Sequence, residues 1–351
     1  FLVIAGFLFW RSARRLSPWQ LVGSRAKRML IPLAFGIVVV LPIDLYIWTV
    51  GLVADGTVDP IKLKSLKFDP PIANNIWGLA HLWFLLYVFL YVVVAATLFR
   101  LASFAFIKRV ARTVAQRNVF VPALSCIAVL TLFAAPEVVW GFQHAVLPVP
   151  SKWIYSGVFF AAGCGLGFHD GKLTMASQSA ARLLIFGALF LVSSVAVGTW
   201  SLQQQELGRE ISHAAALLLA TLTVAAAITV TLGLIGAGVP SVTQVSQTIR
   251  YLAAASFWIY LVHHPLLGLI HTDIKWIWPH GSPLVKLCVS FLSATCISIL
   301  LYEAFVRKSR LGKLLRLNDT TRNSVGSRKE VKVVNEILTL PAGKPEQRRA
   351  A

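Results

Sequence analysis

Apolar runs long enough to cross a lipid bilayer recur along most of this 351-residue chain. A transmembrane helix needs about 20 mostly apolar residues. The sequence predicts nine such spans, the first of them partial, at about 1–10, 29–50, 77–99, 119–136, 153–168, 183–200, 212–236, 251–272 and 284–305. Lipid cannot satisfy open backbone groups, and no strand-like alternation is present. The predicted fold class is therefore an all-α, polytopic transmembrane helical bundle.

Composition supports a membrane environment. Hydrophobic residues make up 57% of the chain and charged residues 13%, whereas soluble domains carry about 25% charged residues. The net charge of +19 would suit nucleic acid, but Lys and Arg cluster in short loops between apolar spans. We therefore expect the lipid bilayer as partner and no nucleic acid. The four cysteines lie in apolar spans without ligand spacing, so neither a metal site nor a disulfide is expected.

The distribution of charge predicts the orientation of the bundle. Arg and Lys without acids occupy the segments 11–28 and 100–118 and also follow the last span, whereas acids balance bases at 51–76 and 201–211. The positive-inside rule places the first group in the cytoplasm, and with it the C-terminus. The nine spans then alternate consistently between the two sides.

Two further expectations concern the ends of the chain. An additional helix upstream of Phe1 would bring the bundle to ten helices. Residues 1–317 are expected to form the membrane domain, and the polar, basic segment 318–351 is expected to form a disordered cytoplasmic tail.

Histidines inside the apolar spans are the main candidates for chemistry. His263 and His264 lie in an apolar run, with Pro265 directly after them, and His81 lies near the outer end of the third span. Ionisable groups in hydrocarbon usually face a bundle interior or a watery cavity. Adjacent helical residues point about 100° apart, so at most one of His263 and His264 can aim at a shared cavity. Pro265 lacks a backbone donor, which leaves a carbonyl for other polar groups.

Each candidate has a structural interpretation beside the functional one. A histidine could act as an acid or base, because its ordinary pKa is about 6.5, or it could simply hold two helices together. Arg25 and Arg28, at the mouth of the second span, are either topology signals or ligands of phosphate groups, to which Arg makes forked hydrogen bonds.

Several strings resemble a known family. They are AHLWFLLYVFLY, SFWIYLVHHPLLGLI and ILLYEAFVRKSRLGKLL, preceded by FLVIAGFLFWRS and RAKRMLIPL. In this order and spacing they resemble the acyltransferase 3 family of integral membrane acyltransferases, and within it the glucan biosynthesis branch, which succinylates periplasmic glucans. The resemblance covers about residues 1–317.

The resemblance implies a ten-helix bundle in the bacterial inner membrane. An acyl-CoA, with succinyl-CoA as one candidate, would enter from the cytoplasm, and a glycan hydroxyl on the outer side would receive the acyl group. The family's first helix carries an arginine and a histidine viewed as central to catalysis, and this sequence begins after that helix. The resemblance implies that the histidine of that upstream helix would be the main base.

The resemblance also suggests roles for the candidate residues. His81 and one of His263 and His264 would position or deprotonate the acceptor, and Arg11, Arg25 and Arg28 would meet the donor. Two other readings stay open. One is a glycan or lipid-carrier transporter or flippase without covalent chemistry, and the other is a non-catalytic membrane scaffold.

Overall fold

The computed structural model describes residues 1–65, 68, 78–101, 120–140, 145–169, 173–239 and 246–315. These residues are mostly helical and contain no strand, so the expected all-α bundle is confirmed. The expected tail at 318–351 and most of the basic segment 100–118 lie outside the described residues.

The main helices of the described chain are α1 (Leu2–Ala13), α2 (Pro18–Phe35), α3 (Leu41–Ala54), α4 (Trp83–Leu101), α5 (Phe120–Ala134), α6 (Pro150–His169), α7 (Ala180–Glu206), α8 (His213–Gly238), α9 (Gln247–Ile277) and α10 (Pro283–Leu301). A π-helical turn, Gly36–Val40, joins α2 to α3. A second one, Tyr302–Val306, follows α10, and a 3₁₀ turn, Ala80–Leu82, precedes α4.

Within the described residues, six helical segments are long and apolar enough to cross a membrane. They are Pro18–Ala54, Ala80–Leu101, Ala180–Glu206, His213–Gly238, Gln247–Ile277 and Pro283–Val306. The other three expected spans correspond to α1 and α5, which are apolar but shorter, and to α6, which has 20 residues and is not among the six. The protein is therefore a multi-pass membrane protein.

The segment 11–28, expected to be a loop, is largely helical. α1 continues to Ala13, and α2 begins at Pro18. The early start of α2 follows from a capping box, because Ser17 accepts a hydrogen bond from the Gln20 backbone while the Gln20 side chain accepts one from the Ser17 backbone. Pro18 also suits the first turn of α2, because an N–H group at that position has no hydrogen-bond partner within the helix.

Helix α9 extends beyond the expected span 251–272 at both ends. Its start is fixed by Ser246, whose hydroxyl accepts a hydrogen bond from the Ile249 backbone. Pro265 lies inside this 31-residue helix without ending it, and His264 lies just past its middle. Lys275, near the end of the helix, makes an ion pair with Asp55 after α3, at 2.7 Å.

We call the end of the bundle that contains the start of α2 and the start of α9 the basic end. The ends of α3 and α9 lie at the opposite end, whereas the start of α4 lies beside the middle of α9. There, Leu82 of the turn before α4 and Leu261 of α9 are fully buried in one core. This core also includes Leu33 of α2 and Tyr302 after α10, so three other parts of the chain hold α9 in place.

Glycines allow the backbones of α1 and α6 to touch. A Cβ atom at Gly6 would collide with the carbonyl oxygen of Phe160, and one at Gly163 would collide with the carbonyl oxygen of Val3. Small residues at such crossings let membrane helices approach closely and gain van der Waals contact. The position of α1 in the bundle depends on these two glycines.

Replacing Gly163 by Ala should therefore lower stability by about 1–3 kcal/mol, the usual cost of overpacking. Gly23→Ala is the matched control, because a Cβ there meets nothing within 4 Å and Ala favours a helix over Gly by about 1 kcal/mol. Thermal melting of both purified variants in detergent measures the difference. A Gly163→Ala melting temperature equal to that of Gly23→Ala would contradict the close crossing.

Candidate active site

Three side chains from separate parts of the chain converge near the middle of α9. They are Asp44 of α3, His81 of the turn before α4 and His264 of α9, and one donor atom from each lies within 4.8 Å of the other two. We call this set the Asp–His–His cluster. His263 lies beside it, with its ring centroid 5.1 Å from that of His81.

The closest contact of the cluster joins His264 to Asp44, with Nδ1 2.7 Å from Oδ1. A carboxylate oxygen only accepts, so Nδ1–H donates and Nε2 keeps a lone pair. Trp48 Nε1 also lies 3.3 Å from Nδ1. One nitrogen cannot both donate to Asp44 and accept from Trp48, and the shorter contact defines it as a donor. Trp48 therefore acts as a packing neighbour, with its ring 5.6 Å from that of His264.

Burial differs across this pair. The Asp44 side chain is 7% exposed, whereas that of His264 is 25% exposed. A buried carboxylate is costly unless it is paired, and His264 supplies the pairing. The partial exposure of His264 leaves its ring accessible to a small polar group that enters the bundle.

Pro265 explains the position of His81. In an α-helix, residue 265 would donate its N–H to the carbonyl of Leu261, but proline has no N–H. His81 Nε2 lies 3.0 Å from this carbonyl oxygen and takes the vacant place as donor. The expectation that Pro265 frees a carbonyl for a polar group is confirmed by this contact.

A second hydrogen bond holds the His81 backbone against α9. The hydroxyl of Tyr260 donates to the His81 carbonyl at 2.5 Å. The preceding residue, Ala80, has a φ of +44°, which costs free energy for a residue with a Cβ atom. The His81 ring stacks on the His264 ring at 5.1 Å with 14° between the planes. His81 is thus held by α9 through both its backbone and its ring.

The two adjacent histidines have different partners. His264 bonds α3 through Asp44, whereas His263 Nδ1 lies 2.8 Å from the carbonyl oxygen of Tyr260 in its own helix. Only His264 of the pair belongs to the cluster, and it bonds a neighbouring helix, although the His263 ring lies equally close to that of His81, at 5.1 Å. That at most one of the pair aims at a shared cavity stays a prediction.

The sequence-predicted arginines lie elsewhere. Arg11 lies over the Phe7 ring at 5.6 Å, Arg25 is half-buried and Arg28 is exposed. Arg25 precedes Asp44 by 19 residues of one nearly continuous helical segment, which corresponds to about 28 Å at about 1.5 Å per residue. The predicted site residues therefore form two groups, the arginines at the basic end and the histidines toward the opposite end.

Asp44 was not among the residues singled out from the sequence. The signal was present, because Asp44 is the single acid between Met29 and Ala54, and an ionisable residue within a membrane span is a functional candidate by default. Tyr260 gave no comparable signal, since a tyrosine in an apolar span is ordinary.

A carboxylate that orients a histidine inside a helical membrane bundle is an arrangement that suits acid–base chemistry. The family model of acyltransferase 3, described as an acyltransferase domain, matches residues 1–303 of the chain. The chain therefore belongs to the acyltransferase 3 family, and it is a membrane acyltransferase. No curated protein and no solved structure matches it.

The role of Pro265 is testable by its replacement. In Pro265→Ala, the new backbone N–H competes for the Leu261 carbonyl, so His81 Nε2–H should lose part of its hydrogen bond and its ¹⁵N resonance should shift. NMR of ¹⁵N-histidine-labelled protein in detergent measures this. Pro283→Ala is the control, because Pro283 lies in the first turn of α10, where an N–H has no helical partner. An unchanged His81 signal in Pro265→Ala would contradict the assignment.

Proposed function

We propose that this protein is an O-acyltransferase that moves an acyl group, with succinyl as the leading candidate, from an acyl-CoA to a glycan hydroxyl. The donor binds on the cytoplasmic side of a bacterial inner membrane, where the C-terminus also lies, and the acceptor is a periplasmic or cell-surface glycan. The observation that carries the proposal is the hydrogen bond between His264 and Asp44. Membership of an acyltransferase family supports the reaction type.

His264 is the base in this proposal. Asp44 accepts the Nδ1 hydrogen and fixes the tautomer, so that Nε2 presents its lone pair to the acceptor hydroxyl. The buried carboxylate also stabilises the imidazolium that forms when the proton arrives. The partial exposure of His264 gives the hydroxyl a way to reach Nε2.

The reaction then balances without a further reactant. As Nε2 takes the proton, the acceptor oxygen attacks the thioester carbonyl and forms the new C–O bond. The C–S bond breaks, and His264 donates the proton to the sulfur. CoA therefore leaves as a thiol, and the glycan leaves as an ester. His81, stacked on His264, positions the base ring in this scheme.

The arginines can bind the end of the donor that carries the phosphate groups. Arg25 and Arg28 lie three residues apart on α2, where their guanidinium groups can bind the CoA phosphates. Arg11 lies in the last turn of α1, close to the same end of the bundle. The separation of about 28 Å along the helix requires a long, thin donor, and the pantetheine arm of CoA has that shape. The match to an acyltransferase domain favours group transfer over the alternative of a transporter or flippase.

The base assignment predicts that His264→Ala lowers transfer by about 10²- to 10⁴-fold, the usual contribution of a general base. Release of CoA thiol and mass spectrometry of the acceptor glycan, in vesicles that contain the purified protein, measure the loss. His271→Ala is the control, because His271 lies on the same helix and is exposed. Transfer at the wild-type rate by His264→Ala, with normal amounts of membrane protein, would overturn this role.

The donor assignment predicts that Arg25→Ala and Arg28→Ala each raise the KM for acyl-CoA by roughly tenfold or more, since a hydrogen bond to a charged group contributes about 1.5–3 kcal/mol. The value of kcat should change little, because the phosphates lie far from the thioester. Arg182→Ala, an exposed arginine near the start of α7, is the control. An unchanged KM in both variants would show that these arginines only set the topology.

A further inference from the structure

The Asp–His–His cluster also has the composition of a metal site. We propose that Asp44, His81 and His264 together bind one Zn²⁺ ion, and that the bound ion inhibits the acyl transfer proposed above. The proposal that Zn²⁺ binds rests only on these three residues. The proposal that the bound ion inhibits the enzyme also rests on the proposed function.

His81 has the hydrogen bonding of a metal ligand. Ligating histidines usually donate their second ring N–H to a carbonyl or a carboxylate, which fixes the tautomer and leaves the other nitrogen for the metal. His81 Nε2 is engaged by the Leu261 carbonyl at 3.0 Å. Its Nδ1 atom is buried and has no hydrogen-bond partner among the residues that the structure describes. A buried nitrogen without a partner is costly, and a cation would satisfy it.

Asp44 and His264 supply the other two donor atoms. Their 2.7 Å contact places a carboxylate oxygen beside an imidazole nitrogen, and one atom from each of the three residues lies within 4.8 Å of the others. A Zn²⁺ ion binds at about 2.0–2.2 Å from such atoms. The ion can replace the proton between His264 and Asp44 if their two ligand atoms move slightly apart, because two tetrahedral ligands of one Zn²⁺ ion lie farther from each other than 2.7 Å.

The ligand set selects the kind of ion. Two imidazoles and one carboxylate suit Zn²⁺, whereas Mg²⁺ and Ca²⁺ prefer oxygen ligands and larger coordination numbers. The carboxylate of Asp44 offsets one of the two positive charges. Three protein ligands leave a fourth position, which a water molecule can fill.

The ion and the acceptor proton compete for the same groups. Catalysis by His264 needs an Asp44 carboxylate that is free to accept the Nδ1 hydrogen. A Zn²⁺ ion held by Asp44 and His264 removes that arrangement, so the ring can no longer act as an oriented base. Zinc is therefore expected to lower kcat in proportion to the occupancy of the site.

Zinc titration of the untagged, full-length protein in detergent tests the proposed binding, because a polyhistidine tag would itself bind Zn²⁺. Isothermal calorimetry should give one site in the wild type. Asp44→Asn and His81→Gln should each weaken binding by more than about 100-fold, since even outer-shell partners are worth about 10- to 100-fold. His271→Gln, an exposed histidine of α9, is the control and should bind like the wild type.

Two further measurements keep the test independent of misfolded variants. Co²⁺ added to the wild type should give the visible absorption of a four-coordinate site, and Zn²⁺ should displace it. Zn²⁺ should also raise the melting temperature of the wild type and of His271→Gln, because a ligand that binds only the folded state stabilises it.

The outcomes separate the two proposals. Equal zinc affinity in the wild type, Asp44→Asn and His81→Gln would overturn the metal site whatever the activity. Zinc binding that depends on Asp44 and His81, in a protein that transfers no acyl group, would retain the metal site and overturn the proposed function. Acyl transfer that continues unchanged at saturating Zn²⁺ would overturn the inhibition.

Discussion

Pro265 cannot donate a backbone hydrogen bond, and the carbonyl that it leaves free, at Leu261, is bonded by His81. Much of the site depends on this interaction. It joins the start of α4 to the middle of α9 although the two residues are 180 positions apart in sequence. With the Tyr260 hydroxyl on the His81 carbonyl, it places the His81 ring flat against His264. The carbonyl group of α9 that lacks a helical hydrogen bond thus holds the turn before α4 in place.

The second constraint is the buried carboxylate of Asp44. In a bundle surrounded by lipid, an unpaired charge is expensive, and the partner must come from another helix. His264 meets this requirement, and the requirement in turn fixes the tautomer of His264 and leaves Nε2 available. Stability, and in the proposed function the chemistry as well, therefore depend on the same 2.7 Å contact. Any substitution that breaks the pair leaves a charged or polar group in the interior, and in the proposed function it also removes the oriented base.

The helical bundle could be predicted from the sequence, because hydropathy is a local signal. An intramembrane ionisable group is also a local signal, so His81 and the histidine pair could be selected as candidate site residues. The partner of His264 could not, because Asp44 is 220 residues away and only the tertiary packing of α3 on α9 brings them together. The choice between His263 and His264 depends on the rotation of α9, which periodicity does not define. The start of α2 at Pro18 was missed for a local reason, because the capping box at Ser17 outweighed the charges that suggested a loop.

The positions of the two groups of site residues limit how the proposed reaction can run. Arg25 and Arg28 lie near the start of the helical segment Pro18–Ala54, at the basic end of the bundle. Asp44 lies toward the other end of the same segment. A donor held by its phosphates at the arginines must therefore extend its thioester through the bundle to reach His264. In the proposed reaction the acceptor hydroxyl would approach from the opposite side and meet the partly exposed ring of His264. Because the bond between His81 and Leu261 holds the His81 ring against that of His264, it would help to define where donor and acceptor meet.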